Sequence, residues 1–184
     1  MTRWRPPAPK RSAYITAGGY QTLSDELAAL WIKRRDVTHH LAAAAAEGDR
    51  SENAEYLYRK KELREIDRRI RYLQKRLPSL IVVRDKPKNS KSVFFGAVVT
   101  LEDVTGHVQR YRIVGPDEVE RRDPSSQQSP ALNHTQSADV TLISIDSPMA
   151  RALLKKHIDD EVIVKTPSQT REYWIHHIEY LQTD

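Results

Sequence analysis

The sequence predicts an α+β protein in two parts: an N-terminal antiparallel coiled-coil helical hairpin, then a small mixed domain. Three observations carry this. Apolar residues recur by threes and fours up to residue 77, a glycine and a proline punctuate two such runs, and beyond residue 80 the period shortens to that of β-strands. The chain has 184 residues, of which 39% are hydrophobic and 30% charged, enough apolar material for a core in one domain or two small ones.

Residues 1–13 contain Pro6, Pro7 and Pro9 and no apolar period, and read as a flexible basic arm. Residues 14–80 read as the hairpin. Thr16 precedes a run in which Leu23, Leu27, Leu30, Val37, Leu41 and Ala44 fall on steps of four and three, with Arg34 the single polar interruption. That is a heptad seam. Gly48 closes it, because glycine most easily takes the left-handed conformation that ends a helix. Tyr56, Leu63, Ile66, Ile70, Leu73 and Leu77 form a second seam, with Arg59 in the remaining place and Pro78 as its stop. A short connection makes the two helices antiparallel neighbours. At about 28–30 residues each they form a rod roughly 40–45 Å long. The alanine run 42–46 favours helix and keeps the rod narrow beside the turn.

Residues 84–184 read as the mixed domain. Strand patterns lie at 93–101, 108–114, 140–145, 161–165 and 172–180. Ser147 is a good N-cap and Pro148 suits the first helical position, so one short helix starts there. Residues 119–139, rich in Ser, Gln, Pro and Asn, read as a long mobile loop.

Composition excludes several classes. There is no cysteine, hence no disulfide and no thiolate metal site. No run approaches the ~20 apolar residues of a membrane helix. The N-terminus lacks the apolar stretch of a secretory signal, so a cytoplasmic protein is expected. The seven histidines include the adjacent pairs His39-His40 and His176-His177, whose members face different directions, and suggest no metal site. Neither a phosphate-binding glycine loop nor a nucleophile elbow occurs.

The net charge of +5 has a location. Residues 55–76 hold nine basic and four acidic side chains, an excess equal to that of the whole chain. Lys60, Arg64, Arg68, Arg71 and Lys75 step by about four along one side of the second helix. A solvated face with internal pairs, Glu65 with Arg69 and Asp67 with Arg71, is the ordinary reading. The acids answer fewer than half of the bases, however, and such a face also suits phosphates.

The turn, residues 47–55, reads Glu47-Gly48-Asp49-Arg50-Ser51-Glu52-Asn53-Ala54-Glu55. Two explanations of its acids stand side by side. Asp49 can cap the second helix, with Glu52 completing a capping box against the positive helix end. Alternatively, two carboxylates at the point of a thin basic rod suit delivery of negative charge into a narrow site. Mg²⁺ is often held by one or two carboxylates, with waters and substrate phosphates completing its shell. Two acids without an enclosing pocket need a partner to supply the remaining ligands. In two-metal phosphodiester chemistry, such acids could steady the more weakly held ion and orient the attacking water.

The stretch Gly48-Asp49-Arg50-Ser51-Glu52-Asn53-Ala54-Glu55-Tyr56 strongly resembles the tip motif of the GreA/GreB transcript-cleavage factors. Tyr58-Arg59-Lys60-Lys61-Glu62-Leu63-Arg64-Glu65-Ile66-Asp67-Arg68-Arg69-Ile70-Arg71-Tyr72-Leu73 is similar to the GreB branch, as is Arg50 at the tip. Ile113-Val114-Gly115-Pro116-Asp117-Glu118, the segment 143–154 and Val164-Lys165-Thr166-Pro167 resemble the family in the same order. The resemblance spans nearly the whole chain.

It implies a transcription elongation factor whose coiled coil enters the secondary channel of a backtracked bacterial RNA polymerase. Asp49 and Glu52 would help position the second catalytic Mg²⁺ and the attacking water, and the polymerase itself would cut the RNA near its 3′ end. Arg50, Lys60, Arg64, Arg68, Arg71 and Lys75 would face RNA or channel, with Gly48, Ser51, Asn53 and Tyr56 supporting the tip. Asp146, Ser147, Pro148 and Arg151 would serve docking of an FKBP-like C-terminal domain, a fold name that implies no isomerase activity. The chain is then a monomer and no enzyme, with no cofactor of its own beyond Mg²⁺ shared with the polymerase. The loop 119–139 is longer than its family counterpart, and the arm 1–13 has no role in this picture. A regulator that occupies the channel without promoting cleavage is the alternative, weakened by the presence of both tip acids. A stand-alone Mg²⁺ nuclease is weakened by the missing pocket.

Overall fold

The computed structural model describes residues 11–46, 53–85, 87–119, 140–167 and 169–181. The chain divides into two units, residues 20–80 and residues 1–19 with 81–184. Among the described residues no helix is long and apolar enough to cross a membrane.

The first unit is the hairpin. Helix α1 (Ala17–Ala46) has 30 residues, as the first seam predicts. Helix α2 (Ala54–Arg76) has 23, shorter than expected because it starts only after Asn53. It passes into a 3₁₀ turn (Leu77–Ser79) at Pro78, whose missing N–H cannot continue the α ladder. Val37, Ile66 and Ile70 are buried between the helices, with Leu27, Leu30 and Leu63 packed around them. The cross-links run in opposite senses along the two helices, which makes them antiparallel: Arg69 donates both its Nε and a terminal nitrogen to Glu26 (2.8 and 2.9 Å), Lys33 meets Glu62 (2.9 Å), and Asn53 reaches Ala44 (3.1 Å).

The polar interruption of the first seam has a partner. Arg34 Nε donates to Asp67 Oδ1 at 2.7 Å. Spacing along the helix pairs Asp67 with Arg71 and Arg69 with Glu65, but these bonds of Asp67 and Arg69 go across the hairpin, to Arg34 and Glu26. A carboxylate at a seam margin is nearer the facing helix than its own solvent side, so the interhelical partner wins.

The second unit contains two sheets. Strands β1 (Tyr14–Thr16) and β2 (Ile81–Val83) pair in parallel, Ile15 opposite Val82. Sequence reading placed residue 14 in the hairpin and started the domain at 84, and so missed this ribbon. Strands β3 (Ala97–Asp103), β4 (Val108–Val114), β5 (Val140–Ser144), β6 (Glu161–Lys165) and β7 (Thr170–Tyr180) form a five-stranded sheet ordered β5-β4-β3-β7-β6. The β4–β5 pair is parallel and the others antiparallel. A single turn, α3 (Pro116–Val119), follows β4, and α4 (Pro148–Leu153) follows β5.

One face of the large sheet makes the core. Val99, Leu101, Ile113, Val162, Val164, Tyr173, Ile175 and Ile178 pack with Ala150 and Leu153 of α4. In β7 the inward spacing changes from two to three between Ile175 and Ile178, where the register with β3 shifts between Thr100 and Leu101. A bulge of this kind re-aims side chains without ending the strand. The first strand of the sheet begins at Ala97, four residues later than the β-rich run. Gly96 takes φ +86°, turning the chain, while Val93 exchanges backbone bonds of 2.8 Å with Lys155 and Lys156.

Candidate functional site

At the hairpin tip the described chain stops at Ala46 and resumes at Asn53. The expected site residues Gly48, Asp49, Arg50, Ser51 and Glu52 lie outside the described residues. Asn53 and Tyr56 lie within them. Asn53 is the N-cap of α2 (φ −82°, ψ 100°), and its Oδ1 accepts the Tyr56 N–H at 3.0 Å. The capping role allowed to Asp49 is thus filled by Asn53, four residues on. An amide carbonyl at this position satisfies one of the N–H groups that the first helical turn leaves without a partner. The same side chain turns its Nδ2 to the carbonyl of Ala44, one of the last four of α1, at 3.1 Å. Ala44 is buried, so the small residue does permit close approach here.

Tyr56 sits half-buried on the seam, and Lys60 Nζ lies 5.4 Å from its ring centre. Tyr58 is exposed, with the Arg59 guanidinium 5.6 Å from its ring. Arg59 fills its place in the seam by pairing with Glu55 (3.5 Å) and Glu62 (3.3 Å). Its Nε has no hydrogen-bond partner among the described residues. Glu62 takes bonds from Lys33 and Arg59, and the Lys33 hydrogen bond chiefly holds its carboxyl below the usual value.

Arg64, Arg68, Arg71 and Lys75 are exposed, and Lys60 is half-exposed. None of the five has an ion-pair partner among the described residues. The pairs that α2 does form use Arg59, Glu62, Asp67 and Arg69 on its other side. The helix thus keeps its paired acids, Glu55, Glu62 and Asp67, along the seam margins, while the unanswered bases lie outside with Glu65 the one acid among them. That face can hold several phosphates or an acidic wall with salt-dependent, sequence-independent affinity.

In the other unit, Asp146 accepts the Ser12 N–H at 2.9 Å, and its own N–H donates to Ser144 Oγ at 3.1 Å. Ser147 is the N-cap of α4, its Oγ accepting the Ala150 N–H at 3.1 Å, with Pro148 in the first turn. These three expected docking residues thus have structural duties of their own. Arg151 on the same turn is exposed.

Sequence reading missed Glu118. Its carboxylate accepts from the Thr16 N–H (3.2 Å), the Thr16 hydroxyl and the Gly115 N–H (2.8 Å). Thr16 Oγ1 in turn accepts the Gly19 N–H at 3.0 Å, capping α1. A Cβ on Gly19 would lie 2.4 Å from the Glu118 carboxylate, and one on Gly115 would lie 2.3 Å from the Tyr14 carbonyl oxygen. Arg112, its guanidinium pushed down by burial and drawn up by Glu118, adds charge to this knot. The sequence signals were a pair of glycines at a helix start and the family-like stretch 113–118, which ends in Glu118.

Comparison with known proteins adds the following. Residues 13–82 match the family described as "Transcription elongation factor, N-terminal", and residues 132–180 match "Transcription elongation factor, GreA/GreB, C-term". Transcription elongation factor GreB of Xanthomonas axonopodis pv. citri is 51% identical over 182 residues, covering 98% of each chain. Its namesake in Pseudomonas aeruginosa is 48% identical over 181 residues, again with 98% of each chain. The Yersinia pestis one is 47% identical over 175 residues, 95% of this chain and 92% of that one. Among solved structures, GreA factor homolog 1 of Thermus thermophilus is similar at 24% identity, over 92% of this chain and 99% of that chain, with a TM-score of 0.39.

Proposed function

This chain belongs to the GreA/GreB family of transcription elongation factors, and on that premise we propose that it stimulates the transcript cleavage carried out by RNA polymerase itself. The hairpin enters the secondary channel of a backtracked bacterial polymerase. Asp49 and Glu52 are brought to its active site, where the RNA near the displaced 3′ end is hydrolysed and a usable end restored. The second unit, FKBP-like by family resemblance, docks at the channel mouth through the turn that holds Asp146, Ser147, Pro148 and Arg151.

One observation supports this most: Asn53 caps α2, so helix capping does not account for the acids before it. The chemistry of the donors also fits. Carboxylate oxygens are the ligands Mg²⁺ prefers, and one or two of them suffice when substrate and partner supply the rest. The ion, when bound in the polymerase, supplies charge stabilisation and an activated water. Asp49 and Glu52 add negative charge beside it and accept a hydrogen bond from that water. The exposed face of Lys60, Arg64, Arg68, Arg71 and Lys75 offsets the repulsion that RNA and acidic channel walls exert on the acidic tip. One or two carboxylates hold Mg²⁺ only when a partner and substrate complete its shell, so the purified chain should cut no RNA. The protein acts in the cytoplasm, as a monomer.

The test is RNA cleavage in a stalled, backtracked polymerase complex at fixed Mg²⁺, with factor binding measured in parallel. The wild type should stimulate cleavage, and Asp49→Ala/Glu52→Ala should bind equally and stimulate nothing. Were the acids helix caps, each loss would cost about 1 kcal/mol of helix stability and leave cleavage intact. A bound wild type that stimulates nothing would instead favour the channel-occupying regulator. Replacing Arg64, Arg68 and Lys75 together by Gln should weaken binding and flatten its salt dependence, with no change in the melting of the hairpin; an unchanged salt slope would return this face to the role of a solvated surface.

A further inference from the structure

Trp31 follows the seam residue Leu30 in α1, at the margin of the hairpin and not in its core, and 44% of it is exposed. A lone exposed apolar side chain is ordinary; the neighbours of this one are not. The Arg34 guanidinium lies over the indole, 5.8 Å from the ring centre and within cation–π range, while Arg34 Nε is held by Asp67 of α2 at 2.7 Å. The ring is thereby tied to the facing helix near Asp67. Residues three and four apart are neighbours on a helix surface, so Arg64 and Arg71 border Asp67 from outside on α2, and Arg35 lies one turn beyond Trp31 on α1. All three arginines are exposed, and none is in an ion pair among the described residues. The exposed Tyr58 has different company. The Arg59 guanidinium lies near its ring too, but Glu55 and Glu62, three residues before it and four after, both pair with that arginine. Acids there repel a phosphate chain, whereas the arginines around Trp31 attract one.

An aromatic ring among cations is the combination that holds single-stranded nucleic acid: bases stack on the ring and the cations take the phosphates, whatever the sequence. We propose that the indole of Trp31 stacks on a base of the single-stranded RNA extruded by the backtracked polymerase, with Arg64 and Arg71 on the phosphates to either side. This rests on the function proposed above, which brings that RNA alongside the hairpin. Arg34 fixes the ring in advance and Asp67 fixes Arg34, so little side-chain freedom is lost when the base arrives. Trp31 stands fifteen residues before the end of α1 at Ala46, about 22 Å along the helix. Only RNA extruded over that distance reaches the ring, roughly seven nucleotides at the ~3.4 Å rise of stacked bases.

The experiment measures the affinity of full-length wild type, Trp31→Phe and Trp31→Leu for stalled polymerase complexes backtracked by about ten nucleotides, enough to pass the ring. The extruded nucleotides are either intact or abasic, and stimulated cleavage and protein melting are measured alongside. Trp31→Leu should bind the intact complex about tenfold more weakly, in the lower part of the range for one stacked base. Trp31→Phe, still aromatic, should keep most of the affinity. Wild type on abasic RNA should fall to the level of Trp31→Leu, which should lose nothing further. Salt dependence should be the same throughout, since no cation is removed. Leucine is a good helix former and the seam is untouched, and the abasic RNA tests the unaltered protein. A loss in Trp31→Leu that persists in full on abasic RNA would overturn the inference and make the ring a contact to the protein wall of the channel. No loss at all would also overturn it and leave Trp31 a solvated surface residue. A wild type that binds with this base dependence but stimulates no cleavage would overturn the functional reading and uphold the stacking. One that does not bind the backtracked complex would overturn both.

Discussion

The two units of this chain bury their apolar residues on different scales. The sheet unit gathers twelve buried apolar side chains into one cluster, whereas the central cluster of the hairpin holds three, Val37, Ile66 and Ile70. Two helices alone can bury only the seam between them. A helix laid on a sheet closes a second layer and encloses a volume. What the hairpin lacks in core it replaces at its margins, with Arg34–Asp67, Lys33–Glu62 and Arg69–Glu26 bridging the helices. Exposed pairs of this kind add little each, typically under about 1 kcal/mol. The hairpin is thus held by a narrow seam and by bridges along its margins.

That contrast can be broken by mutation. Leu101→Ala, in the sheet cluster, should cost about 2–5 kcal/mol in denaturant unfolding, because the surrounding layers cannot collapse into the hole. Ile70→Ala should lie near the low end of that range, about 2 kcal/mol, since water reaches the edge of a seam. Hydrogen exchange should assign each loss to its own unit; equal losses would mean that the hairpin is packed as tightly as the sheet. Gly115→Ala comes next, at about 1–3 kcal/mol, because the new Cβ must displace the Tyr14 carbonyl oxygen, which is backbone and cannot swing away. Loss of amide protection in β1 and β2 would locate it; a silent substitution would show that the ribbon yields.

The smallest effect depends on pH. The bond from Lys33 holds the folded Glu62 carboxyl below its ordinary value of 4.5. The unfolded chain therefore takes up that proton more readily than the folded one. Glu62 contributes its full stabilisation above pH 4.5 and loses it as the pH falls through the lowered folded value. Melting of the hairpin should thus decline more steeply below that point in the wild type than in Glu62→Gln. Parallel curves would mean that the cross-helix pairs contribute nothing.

What could be read from the sequence follows the range of the interactions. The seams were legible because a heptad repeat is a local pattern, and four of the five strands of the large sheet lay close to their β-rich runs. Ser147 and Pro148 marked the start of α4 because capping is decided within four residues. The β1–β2 ribbon was not legible: each strand has three residues, and the partners are separated by the whole hairpin. The caps at the tip defeated local reading for another reason. Asp49 and Asn53 are both good cap residues, but only Asn53 has an amide N–H to give to Ala44 on the facing helix. Glu118 was hidden likewise, since its partner Thr16 lies about a hundred residues away.

The ribbon also sets an order of events during synthesis. Tyr14–Thr16 leaves the ribosome first, but its partner Ile81–Val83 follows only after both helices have been made. The helices need nothing later in the chain to close on each other, and chains fold in the order they are made. The hairpin can therefore form while β1 is still unpaired, and the large sheet waits for β7, the latest of its own strands in chain order. The hairpin is thus assembled before the sheet unit, and a nascent chain halted midway already holds its two helices paired.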